Sequence, residues 1–149
     1  MDQFVSGEII DSKTVDGWHF QSYDRYSDPA VFEEFESLVT LWRSKWKGED
    51  LPAWRDFSFE DFKDWYGWLI VEDVVPGGNG DVVFRLWGTN VAALLQLDAT
   101  GKRMSEVEND WFDPHEFEIV TNIVENGIIA CSNGSLAWRG RQHVDVKTI

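Results

Sequence analysis

Cysteine is all but absent: Cys131 stands alone in a chain of 149 residues. No disulfide can form within the chain, which suits a reducing compartment. Histidine is nearly as scarce. His19, His115 and His143 are scattered, and no two of them have metal-ligand spacing, so no metal site is expected. Basic residues are few, 13 Lys and Arg against 27 Asp and Glu, for a net charge of -14. A surface of that sign repels phosphate backbones and anionic lipid, and neither nucleic acid nor membrane is expected as a partner. No apolar run approaches the length of a membrane span. The start, MDQFVSGEII, lacks a basic region before an apolar stretch, so no signal peptide is expected and a cytoplasmic location follows. There is no internal repeat, no low-complexity tract, no Gly-Lys-Ser/Thr phosphate loop and no Gly-x-Ser-x-Gly elbow.

What is present is apolar and aromatic. Hydrophobic residues make up 43% of the chain and aromatics 15%, with 9 Trp, too much for disorder and enough for one packed domain. The clearest stretch covers 68–87. Two runs rich in β-branched residues, 68–75 and 81–87, flank Pro76, Gly77, Gly78, Asn79 and Gly80, which read as a hairpin turn. Upstream, Asp28-Pro29 is a helix start. Val31, Phe32, Phe35, Leu38, Val39, Trp42 and Trp46 follow at helical spacing, which predicts one long helix over 29–47, stopped by Gly48. Ser58 with Asp61 forms a capping box before a short helix ended by Gly67. Thr89 or Asn90 caps another short helix, and residues 97–101 form a turn. Asp113-Pro114 repeats the helix start ahead of Phe117, Val120, Ile123 and Val124. Residues 128–138 read as a strand interrupted at Asn133-Gly134. Residues 143–149 alternate as a half-buried strand that stops in mid-pattern, which suggests a truncated chain. Residues 1–27 read as an N-terminal arm with short strands around Asp16-Gly17, and 28–149 as the domain.

Strands, helices, then strands again predict an α+β fold, with the two hairpins sharing one antiparallel sheet. Here the sequence resembles the PAS domain family, in particular a subgroup of small bacterial single-PAS proteins. The resemblance rests on Leu41-Trp42-Arg43, Gly48 with Leu51-Pro52, Phe57 with Phe62, Leu69-Ile70-Val71 with Asp73-Val74, Phe84-Arg85-Leu86-Trp87-Gly88-Thr89, and Asp98 with Thr100-Gly101-Lys102. It implies a PAS-like antiparallel sheet of five strands with short helices on one face. The long N-terminal helix would cover the other face, within the chain or across a dimer. It also implies a non-catalytic sensory or regulatory module that binds a small-molecule ligand or a protein partner and signals through its N-terminal helix. The alternative is a structural interaction or dimerisation module with a filled core and no ligand.

Candidate residues follow from the strand pattern. A pocket between sheet and helices would be lined by Phe84, Leu86, Leu95, Met104, Phe117, Val120 and Cys131. Trp is enriched among interface anchors, so Phe35, Leu38, Trp42, Trp46 and Trp87 are the candidate contact residues of a homodimer or partner, with Trp87 on the outer strand face. Core packing alone also accounts for both sets. Cys131 lacks the Asn-Cys-Arg-Phe setting of light-sensing relatives and reads as a buried, inert thiol. His115 reads as an exposed capping histidine rather than a haem ligand. No cofactor is implied. The many neighbouring carboxylates, such as Glu60, Asp61 and Asp64, read as a solvated face rather than an acid/base pair. No catalytic residue is assigned.

Overall fold

The computed structural model describes residues 8–108, 111–112 and 114–149, without the side chains of Trp138 and Gln142. The helix cap expected from Asp113 lies outside the described residues. The fold is α+β with antiparallel sheets. The strands are β1 (Ile9–Val15), β2 (Trp18–Tyr23), β3 (Ile70–Val74), β4 (Val82–Trp87), β5 (Ile129–Leu136) and β6 (Arg141–Thr148). The α-helices are α1 (Glu36–Ser44), α2 (Thr89–Leu95) and α3 (Pro114–Asn126), joined by short 3-10 segments. By compactness the chain forms two units, one of Met1–Ser44 with Asn122–Ile149 and one of Lys45–Thr121.

The expectation of a single sheet does not hold. β1-β2-β5-β6 form one four-stranded sheet, and β3-β4 form a two-stranded sheet of their own. The reason lies in what occupies the edges. The segment read as an N-terminal arm supplies β1 and β2, and β2 pairs with β5 from His19↔Asn133 to Tyr23↔Ile129. With β6 on its other side, β5 has no edge left for the central hairpin. The outer edge of β4 is engaged too. The Phe84 N–H donates to the Lys102 carbonyl, the Gly101 N–H donates to the Phe84 carbonyl, and Val83 bridges Arg103.

The long helix predicted over 29–47 is instead two shorter pieces. Its start is as expected: Asp28 Oδ1 accepts from the Ala30 N–H at 3.0 Å, with Pro29 at the first position. The first piece, Pro29–Phe35, is 3-10 and is broken at Glu33, whose φ of 51° and ψ of -115° are not helical. Only Glu36–Ser44 is α-helical. An apolar stripe at helical spacing cannot reveal such a break, because both pieces keep the same face inward. In this unit Phe32, Val39 and Ile129 are buried together, with Tyr23, Phe35, Trp42 and Cys131 packed around them.

The second unit keeps the predicted hairpin and capping box. Ser58 Oγ accepts from the Asp61 N–H at 3.3 Å while Asp61 Oδ2 accepts from the Ser58 N–H at 2.8 Å. The helix it starts is 3-10, Phe59–Trp65. Helix α2 has Gly88, not Thr89 or Asn90, at its N-cap, with no side-chain cap bond. Asp81 is buried at the head of β4, and its carboxylate accepts from the Val82 N–H (3.0 Å), the Ser105 N–H (3.1 Å) and the Ser105 hydroxyl (2.7 Å). That set of bonds ties the hairpin to the Met104–Glu106 turn.

Candidate functional site

The residues expected to line one pocket fall in two different units. Phe84, Met104, Leu95, Phe117 and Val120 do meet, in the core of the second unit around Val82, Trp87, Val91 and Ala99. There Val82 and Ala99 are fully buried, and the Phe84 ring lies edge-on to Trp87 at 4.9 Å and against Phe112 at 5.5 Å. Cys131 is not among them; it belongs to the Phe32 cluster of the first unit.

Leu86 and Trp87 have exchanged faces relative to the alternation read from sequence. Val71 pairs with Leu86 and Glu72 with Phe84, so Arg85 is an extra residue in β4 and the strand carries a bulge. Past the bulge the alternation slips by one. Val82, Phe84 and Trp87 therefore share the buried face, and Leu86 is turned off it. Trp87, expected on the outer face, is only 6% exposed and is a core residue. Of the other candidate contact residues, Phe35 and Trp42 pack against the first unit's core, and Leu38 and Trp46 are half-buried. His115, expected to be exposed, has a side chain only 13% exposed, with Nδ1 3.5 Å from Glu118.

The described concavity lies in the first unit, a cleft of about 280 Å³ between the Pro29–Phe35 segment and the four-stranded sheet. Its floor follows from register. Gln21 opposes Cys131, Tyr23 opposes Ile129, and Asn133 opposes both His19 and Lys147. Opposed residues project from the same side of an antiparallel sheet. Gln21, Tyr23, Cys131, Asn133 and Lys147 therefore share the face that lines the cleft. The wall is Phe32, Glu33, Glu34 and Phe35 from the broken helical segment. Tyr23 stacks edge-on against Phe32 at 5.1 Å and donates its hydroxyl hydrogen to Gln21 Oε1 at 3.1 Å. Lys147 spans floor and wall, with Nζ 2.9 Å from Glu34 and 3.8 Å from Glu33.

The ionisable groups are tuned by these contacts. The Lys147 ammonium holds the Glu34 carboxyl below its ordinary range, and Glu34 in turn raises Lys147. Burial pushes the Cys131 thiol up to about 11, and burial is also the main reason the Tyr23 hydroxyl is raised. At neutral pH the cleft thus offers a protonated thiol, a neutral phenol, amides, and an ammonium already neutralised by carboxylate. Such groups recognise a ligand by hydrogen bonds and apolar contact, and the raised Cys131 thiol is a poor nucleophile at that pH. Among the described residues no group of three or more His, Cys, Asp or Glu could hold a metal ion, and no helix is long and apolar enough to cross a membrane. The carboxylates near Ser58 have local uses: Asp61 caps a turn and pairs with Lys45 at 3.0 Å, and Asp56 pairs with Lys47 at 2.6 Å.

Sequence reading missed Gln21, Tyr23, Glu33, Glu34, Asn133 and Lys147. The signal that could have found them is the strand-like stretch 18–23, of which His19 to Tyr23 pair with Asn133 to Ile129. No protein-family model, curated protein or solved structure matches the chain.

Proposed function

We propose that the chain is a non-catalytic regulatory module whose first unit takes a small, partly polar ligand in the cleft. Its occupancy would be passed on through the segment Pro29–Phe35 into helix α1. The observation that carries this reading is the construction of the wall. Glu33 sits inside a helical segment at φ 51°, a conformation an L-residue holds only when its surroundings impose it. The same residue and its neighbour reach Lys147 on the floor. A ligand that separates Lys147 from the glutamates would loosen this strained, tethered wall and shift it toward a second arrangement. At about 280 Å³ the cleft falls just below the roughly 300 to 1,000 Å³ of common ligand pockets, so the ligand it takes is a small one.

The PAS resemblance leads to the same class of function, but the support here is the cleft and not the resemblance, whose single five-stranded sheet differs from the two sheets of this chain. The test is a fragment screen by amide chemical shift on isotope-labelled protein. Hits are expected to perturb Gln21, Cys131, Asn133 and Lys147 first and to propagate along 29–44. Hits confined to residues 45–121, or none in the cleft, would refute the proposal.

A further inference from the structure

Strand β3 has a free edge. Among the described residues it pairs only with β4, and no main-chain hydrogen bond leaves its other side. An open edge is a ready template for another strand, and proteins commonly blunt it with charge, proline or a bulge. Here the bulge is on β4, and β3 itself is regular, with Ile70, Glu72 and Val74 on one face. Ile70 is 38% exposed, Val74 48%, and Trp68, two positions earlier, 52%. Ile70, Glu72 and Val74 lie on the same face of the hairpin as Trp87, Phe84 and Val82, their respective partners in register. The core covers that face over β4 and leaves it open over β3.

Glu72 lies in the middle of this stripe. It faces Phe84 across the ladder, and among the described residues it makes no hydrogen bond and no ion pair. Its neighbour Asp73, on the opposite face, is paired with Arg85 at 2.9 Å. Desolvation by the surrounding protein raises the Glu72 carboxyl above its ordinary range although the residue keeps solvent contact. A second copy of the chain is a poor occupant. Antiparallel self-pairing centred on the stripe puts Glu72 opposite Glu72, and like charges directly opposed are destabilising. A cation in that place is favoured, and apolar side chains suit the positions flanking it.

We propose that the free edge of β3 is a docking strand for an extended segment of a protein partner, one in which a Lys or Arg is flanked two positions to either side by apolar residues. Main-chain bonds to β3 would give affinity, and the alternating side chains beside Ile70, Glu72 and Val74 would give specificity. The surface belongs to the second unit and the cleft to the first, so either proposal can fail without the other.

A displayed library of random heptapeptides panned against the full chain tests this. Enrichment of the stated pattern is expected, with the central position turning from Lys or Arg to Asp or Glu when the target is Glu72→Lys. A selected peptide should bind Glu72→Gln about tenfold more weakly or worse, as loss of a charged pairing implies. It should bind Asp73→Asn unchanged, and should protect the amides of 70–74 from exchange. The proposal is overturned by no enrichment above background, by the same peptides emerging on Glu72→Lys, or by unprotected β3 amides. It is also overturned by a dimer in light scattering that the peptide dissociates. If Glu72→Lys does not fold, Glu72→Gln decides.

Discussion

Glycine is normally a poor choice within a helical segment, by about 1 kcal/mol against alanine. At position 33 that order is expected to reverse. Glu33 has φ 51° and ψ -115°, a region that glycine enters freely and other residues enter at a cost of about 1–3 kcal/mol. Glu33→Gly removes that strain, loses roughly 1 kcal/mol to the added freedom of the unfolded chain, and gives up a 3.8 Å approach to Lys147. The ion pair matters little: both partners are well exposed, and Glu34 keeps Lys147 company at 2.9 Å. Glu33→Ala loses the same contact and retains the strain. Glycine should therefore exceed alanine by about 1 kcal/mol, or roughly 4 °C in melting temperature for a chain of this size. Urea denaturation of both variants, followed by far-UV circular dichroism, measures the difference. If alanine is the more stable by the usual helical margin, Glu33 is an ordinary helical residue. The strained wall, and with it the coupling of cleft to helix, then fails.

Other outcomes follow from single contacts. A Cβ at Gly134 would overlap the Trp18 indole on the neighbouring strands, so Gly134→Ala should cost about 1–3 kcal/mol in the same titration. Asp81→Ala leaves three donors without their acceptor near the head of β4, for a loss of about 1–3 kcal/mol. Cys131 should alkylate with iodoacetamide at pH 8 roughly 200-fold more slowly than a free thiol, from its pKa of about 11, and accelerate up to that pH. Its thiol is raised in the fold, so its contribution to stability is complete below the unfolded value and is lost as pH climbs toward 11, a loss absent in Cys131→Ala. For Glu72 the carboxyl is raised, so its ionised form weakens the fold. Glu72→Gln should melt higher than the parent at pH 7, with the difference vanishing below the ordinary carboxylate range.

What could be read from sequence was local. The β3-β4 turn, the Ser58–Asp61 box and the Asp28-Pro29 start depend on neighbours within a few residues, and each was found where expected. What could not be read was set by distant partners. The bulge at Arg85, which moves Trp87 inward and Leu86 outward, leaves no mark in a string of apolar residues. Neither does the choice of β2 over the central hairpin as partner for β5, since Ile129, Ala130 and Cys131 would suit either. The break at Glu33 is hidden because its sequence, a pair of glutamates between Phe32 and Phe35, is good helix sequence. Every cleft residue from β2, β5 and β6 depends on that unread pairing, so the site could not be placed before the sheet was known.

The pairing of β2 with β5 is therefore the most direct test. Cross-strand nuclear Overhauser contacts between Gln21 and Cys131, and between Tyr23 and Ile129, are expected in solution. Contacts from 129–136 to 70–87 in their place would restore the single sheet and remove the cleft.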